Sequence, residues 1–322
     1  MSLQSTARLL LGLAVLGLAV ASCRPGEGAI EPAPGAAGGL EAVQPSPPLS
    51  GRPERIVPAN VAAAEYLCAL VGLERIAGLP EQVSDFSSLS GADQERWTTL
   101  PRFARYEAER LIALEPDLVV TFEWQAATTT QLLRSEGIPV LVLPSGESYD
   151  DVRGTLQLLG ELLEADPAAE REVAALDARV DALRASAGPR RDLRVLVYSN
   201  TGTGGWAPGS RTTSHAMVEL AGMRNAAAEA GIEGHGKVDF ERFLVIDPDV
   251  IVVNELVVGQ GSASKDAVLE AKPLATLQAV REDRILVMPA ALMSADSPEL
   301  VTAAERLAAG VDRMIESGLA PR

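Results

Sequence analysis

Residues 109–120 read ERLIALEPDLVV, and residues 241–252 read ERFLVIDPDVIV. Self-similarity on this scale fixes an architecture before any single residue is interpreted. Each copy predicts a helix opening near its Glu, a Pro-Asp turn and then a buried strand. One copy lies on each side of the chain's middle. Two similar halves are therefore expected, with the functional site between them.

The segments around the copies fit this plan. RIVPAN at 55–60 predicts a short strand running into a loop, and AAAEYLCALVGL at 62–73 has helical apolar spacing. DLVVT at 117–121 and IPVLVLP at 138–144 are continuous apolar strands, separated by a helical TTTQLLRSEG that ends at Gly137. Continuous apolar strands alternating with helices predict parallel sheets covered by helices. The pattern then breaks into a helical stretch at 150–164. Asp166-Pro167 is a helix start, and Val173, Leu176, Val180 and Leu183 follow on one face. That helix is stopped near Gly188-Pro189, and some 20 residues make a rod of about 30 Å. Afterwards the first pattern resumes: LRVLVYSN as a strand, SHAMVELAGMRN as a helix, the second copy, RILVMP as a late strand, and a closing amphipathic helix at 297–315. The expected fold is α/β: two Rossmann-like lobes with parallel sheets joined by one long helix, with a ligand cleft between them. The expected divisions are an N-terminal lobe at 54–147, linker helices at 148–189 and a C-terminal lobe at 190–322.

The N-terminus carries a different signal. Arg8 is the only charge before Cys23, residues 9–20 form a short apolar run, and Val20-Ala21-Ser22-Cys23 closes it. The run suits a signal peptide and is short for a membrane span. Its end resembles the lipobox of bacterial lipoproteins. That resemblance implies cleavage of residues 1–22 and a lipid on Cys23; an ordinary secretory signal is the alternative. Residues 23–53 are rich in Gly, Pro and Ala and read as a flexible tether spanning roughly 30 Å. Cys68 lies in an apolar helical pattern and reads as a buried small hydrophobe. With Cys23 lipidated, no intrachain disulfide is expected.

Bulk composition narrows the function. The 322 residues carry a net charge of −16, which argues against nucleic-acid binding, because phosphate neutralisation needs clustered Lys and Arg. An apolar content of 47% supplies core for two lobes.

From residue 55 to the C-terminus the ordered segments resemble the helical-backbone substrate-binding proteins of ABC importers for cobalamin, ferric siderophores and haem. RIVPANVAAAEYLCALVGLERIAGL at 55–79 looks like that family's opening strand and helix, and the two repeated phrases match its LERIxALxPDLV type. The resemblance implies a substrate held between the lobes, small hinge motion, and a Glu on each lobe docking Arg residues of a permease. By position these are Glu109 and Glu241. Matched carboxylates suit a pseudo-twofold partner, and each equally suits the start of a helix, where the dipole favours an anion.

In such a fold, loops at the carboxyl ends of strands face the ligand. Four segments qualify. The first is RFARY at 102–106, where Phe103, Arg105 and Tyr106 suit a flat or anionic ligand, unless the stretch is a plain solvated loop. The second holds Trp124, a pocket wall or a cap on the sheet core. The third is TGTGGWAPGSRTT at 201–213, where Trp206 stacks and Arg211 pairs; without GKS or GKT it is a poor phosphate loop. The fourth is the loop carrying His235, an exposed residue or an axial ligand to a haem or corrinoid metal. Tyr106 is open to the same reading for iron. The Arg-rich aromatic stretch leans towards an anionic ligand such as a siderophore or haem propionates.

With His215 and His235 the only histidines, a preformed zinc or manganese cluster is not expected. No nucleophile elbow or helix-borne His pair frames an enzyme, and no resident cofactor is called for. The expected protein is a monomeric, lipid-anchored, extracytoplasmic binding module. It captures a siderophore, haem or cobalamin and hands it to ABC permease subunits. The alternative is a ligand-sensing or scavenging surface lipoprotein of the same fold.

Overall fold

In the computed structural model, residues 43–86, 97, 99–200, 204–255, 259 and 261–319 are described. They belong to one compact unit, Gly39–Arg322. The signal segment and Cys23 lie outside the described residues. No helix among the described residues is long and apolar enough to cross a membrane.

The strands are β1 (Ile56–Pro58), β2 (Leu79–Pro80), β3 (Arg102–Phe103), β4 (Leu118–Phe122), β5 (Val140–Leu143), β6 (Arg194–Asn200), β7 (Gly205–Pro208), β8 (Arg224–Asn225), β9 (His235–Lys237), β10 (Val250–Glu255) and β11 (Ile285–Pro289). The principal helices are α1 (Val61–Leu70), α2 (Ala108–Ile112), α3 (Ala127–Ser135), α4 (Tyr149–Leu162), α5 (Asp166–Ser186), α6 (Thr213–Leu220), α7 (Phe240–Ile246), α8 (Ala263–Glu270) and α9 (Glu299–Glu316). The N-terminal lobe holds a parallel sheet in the order β1-β4-β5. The C-terminal lobe holds β11-β10-β6 in parallel, with β8 also paired to β6. Here the fold departs from purely parallel sheets. β7 runs antiparallel to β6, and β9 antiparallel to β7. The glycine-rich stretch expected to be all loop therefore contains a strand, and His235 sits on β9 rather than in a loop.

The repeated phrase has a structural meaning in each lobe. α2 and α7 bury Leu111 and Phe243 beneath the sheets. The chain then turns through the left-handed region at Glu115 (φ 50°) and Asp247 (φ 43°), which ends the helix ahead of Pro116 and Pro248. The next residue in each copy is an Asp that fastens the neighbouring strand. Asp117 accepts from the backbone N–H groups of Glu54 (2.7 Å) and Arg55 (2.9 Å), and Asp249 accepts from Arg194 N–H (2.9 Å). In return Arg55 donates to the carbonyls of Leu114 and Glu115, and Arg194 donates to the carbonyl of Asp247. Each lobe is thus closed by the same exchange between a helix-ending turn and a strand start.

α5 joins the lobes. Its buried face is Val173, Leu176, Val180 and Leu183, as the spacing predicts. It packs tightly on α4, where Gly160 meets the Cβ of Ala169 so closely that a side chain there would collide with it. Its far end is held by Arg190, whose guanidinium is buried against Asp312 (2.6 and 2.7 Å) and the carbonyl of Ala221 (2.9 Å).

Residues 43–53, expected to belong to the tether, are folded. Ser46 pairs antiparallel with Val140 at the edge of the N-terminal sheet, through bonds of 3.0 and 3.1 Å. Val43 and Leu49 pack on the core, and the carbonyl of Pro53 accepts from the buried Arg75. This edge pairing is a long-range contact that leaves no local period in the sequence.

Candidate functional site: the cleft between the lobes

Two tertiary contacts show that the carboxyl edge of the N-terminal sheet faces the C-terminal lobe. The loop leaving β5 donates from Gly146 N–H to Asp296 Oδ1 (2.9 Å). One residue later, Glu147 accepts from Arg211 at 3.1–3.2 Å. A third link crosses the same seam: Ser297 Oγ donates to Glu65 Oε2 of α1 at 2.5 Å, with both residues buried.

On the N-terminal side the site is built from aromatic rings. Tyr66 and Phe122 stack at 6.5 Å, and Phe122 and Trp124 stack at 6.0 Å and 24°. Tyr66 and Phe122 are buried, so they hold the plane on which Trp124 rests with 56% of its surface exposed. A large apolar ring this exposed at a strand exit is a ready stacking platform. On the C-terminal side Trp206 is 45% exposed on β7. It stands opposite Lys237 of β9 and Ser199 of β6. Gly205 is required beside it, because a Cβ there would strike the Tyr198 ring.

The seam is acidic. Burial pushes the Asp296 carboxyl up to about 7; the negative charges of Asp151 and Glu123 add to the rise, and the Gly146 N–H opposes it. Burial, with the charges of Asp296, Asp151 and Glu65, likewise raises the Tyr66 phenol well above its ordinary value. Glu123 also accepts from Ser145 N–H (3.1 Å), bracing the loop after β5.

The predicted residues fall into distinct places. Trp124 and Trp206 present open ring faces. Arg105 and His235 are exposed. Phe103 does not reach a ligand: it is 3% exposed, in the core beneath α2, because β3 pairs with β2 and turns its ring inward. Tyr106 is half-buried against that core, with its hydroxyl bonded to Thr130 Oγ1 (3.0 Å). Burial raises its pKa, opposite to what a phenolate ligand needs. Arg102 is spent on the carbonyls of Pro80 and Trp97. Arg211 is already paired with two carboxylates, Glu147 and Glu233. Glu109 and Glu241 are both exposed, each the second residue of its helix. Among the described residues no group of three or more His, Cys, Asp or Glu is arranged to hold a metal ion. Sequence reasoning missed Phe122, Glu147, Glu233 and Asp296. Phe122 was legible as the last apolar residue before Glu123-Trp124; the carboxylates were not, since their partners are distant in the chain.

Two α/β lobes on one connecting helix, each carrying an exposed Trp, define the architecture of a two-lobed binding protein. The chain belongs to the periplasmic binding protein family, whose model matches residues 86–292. It is 30% identical over 206 residues to a cobalamin-binding protein of Halobacterium salinarum, which covers 63% of this chain and 54% of that protein. The chain thus spans about half the length of that relative. It is 23% identical over 209 residues to YvrC of Bacillus subtilis, an ABC transporter substrate-binding lipoprotein, covering 63% of this chain and 64% of that one. Among solved structures it resembles the periplasmic haem-binding protein RhuT from Roseiflexus. The TM-score is 0.70 at 26% identity, covering 81% of this chain and 98% of that one.

Proposed function

We propose that this chain captures a metal complex of the corrinoid, haem or ferric-siderophore class outside the cytoplasmic membrane and delivers it to an ABC permease. The observation that carries this reading is the pair of exposed indoles, Trp124 on the N-terminal lobe and Trp206 on the C-terminal lobe. Flat, rigid metal complexes offer large surfaces for such stacking. The names of the relatives, which bind cobalamin or haem or serve ABC transport, support the same class. The lobes bind and present; no covalent step is assigned to them. A lipid on Cys23 would hold the folded part near the membrane, in keeping with the lipoprotein relative.

Docking is assigned to Glu109 and Glu241, which occupy matched places in the repeated phrase. Val245 lies one turn beyond Glu241 and is 85% exposed, an apolar residue left open beside the carboxylate.

The first experiment is a titration of the purified full chain, following indole emission, with cyanocobalamin, haemin and a panel of ferric siderophores. Saturable quenching by one class is expected, and silence with all of them sinks the reading. The docking assignment has its own test. A Glu109→Arg, Glu241→Arg variant should keep ligand affinity and lose uptake in cells; persistent uptake would refute it.

A further inference from the structure

Arg211 is, with Arg105, one of two cations the sequence offered for an anionic ligand, and the structure gives it another task. Its Nε and Nη2 contact both Glu147 oxygens at 3.1–3.2 Å, and its Nη1 contacts Glu233 Oε1 at 3.2 Å. Glu147 comes from the N-terminal lobe. Glu233 comes from the C-terminal lobe, where it bridges Ser210. The arginine is held at φ 60°, a left-handed backbone that a residue with a long side chain seldom adopts. One guanidinium between two carboxylates leaves the cluster with a net negative charge. Around it the seam adds the carboxylates of Glu65, Glu123 and Asp151. Lys237, beside Trp206, supplies a positive charge and does not offset them.

We infer that the Glu147–Arg211–Glu233 cluster sets the ligand's charge class, turning away anionic metal complexes in favour of uncharged or cationic ones. This rests on the metal-complex reading above and narrows it. An anionic ligand would have to displace Glu147 from Arg211, or lie beside carboxylates whose guanidinium is already paired. An uncharged corrinoid or a cationic ferric hydroxamate meets neither obstacle, and its stacking on Trp124 and Trp206 is unaffected. The cluster also acts across the seam, so it is present in the cleft before ligand arrives.

The test measures the affinities of the full chain for four probes: cyanocobalamin (uncharged), ferrioxamine B (cationic), haemin and ferric enterobactin (both anionic). The wild type should bind an uncharged or cationic probe at least tenfold more tightly than either anionic one. In a Glu147→Gln, Glu233→Gln variant, the ratio of anionic to non-anionic affinity should rise at least tenfold. An anionic probe that binds the wild type as tightly as the best of the others would overturn the inference and leave the metal-complex reading standing. A variant that shifts all probes together, with the ratio unchanged, would show the cluster to be merely structural and overturn it too. If none of the four saturates either protein, the metal-complex reading fails and the inference falls with it.

Discussion

Replacing Asp296 by Asn should make the protein more stable, and increasingly so as pH rises. Asp296 accepts the Gly146 N–H across the seam, and Asn retains an acceptor of the same shape. Its carboxyl is raised from 3.8 to about 7, chiefly by burial and then by Asp151 and Glu123. A carboxyl raised on folding favours the folded state while protonated. That contribution is fully present below the unfolded value and is lost as pH climbs to the folded one. The loss therefore runs from about pH 4 to about pH 7. Each pH unit in this window is worth about 1.4 kcal/mol, so roughly two units between pH 5 and 7 give about 3 kcal/mol. Asp296 is mostly buried but keeps some solvent contact, and water and nearby groups relax when it ionises, which reduces the expected effect to about 1–2 kcal/mol. The assay is urea unfolding of wild type and Asp296→Asn at pH 5, 6, 7 and 8, comparing the two proteins at each pH so that other titrations cancel. The variant's advantage should grow by about 1–2 kcal/mol from pH 5 to 7 and then level off. An advantage that is flat across the range, or that shrinks as pH rises, would refute the argument.

Two further outcomes are expected. Arg190→Met should cost about 2–4 kcal/mol in urea unfolding at neutral pH, because it removes a buried guanidinium from Asp312 and the Ala221 carbonyl while Asp312 can rehydrate. Gly205→Ala should cost about 1–3 kcal/mol and shift Trp206 emission, since the new Cβ meets the fully buried Tyr198 ring; thermal melts and emission spectra read both effects.

The parts legible in the sequence are those governed by local period. The repeated phrase located α2, β4, α7 and β10, and the 3–4 spacing of Val173 to Leu183 gave the inward face of α5. The parts that were not legible depend on long-range pairing. Ser46 lies in a Pro-rich stretch with no pattern, yet it extends a sheet through Val140. Phe103 and Tyr106 looked like an exposed aromatic loop because the two-residue pairing of β2 with β3 that turns Phe103 inward leaves no period in the sequence. Arg211 looked free because its partner Glu147 is 64 residues away on the other lobe. The two Trp residues are exposed for different reasons: Trp124 follows the end of the buried strand β4, and Trp206 lies on the short antiparallel strand β7.

The connection between the lobes bears on how this cleft can choose. α5 is packed along one face, pinned to α4 at Gly160 and Ala169, and anchored at its far end by Arg190. Arg179 ties its middle to Glu305 and Thr302 of α9. A helix fixed at both ends and along its side has little freedom to hinge, and the seam adds Gly146–Asp296, Ser297–Glu65 and Glu147–Arg211. A binder that wraps its ligand can bring distant charges into place as it closes; one held this rigidly has its charges where they are before binding. Selection must then come from what the open cleft already presents, two stacking faces within a ring of carboxylates. That is why the pairing of Arg211, a detail at one rim, decides more about the cargo than the count of arginines near the cleft.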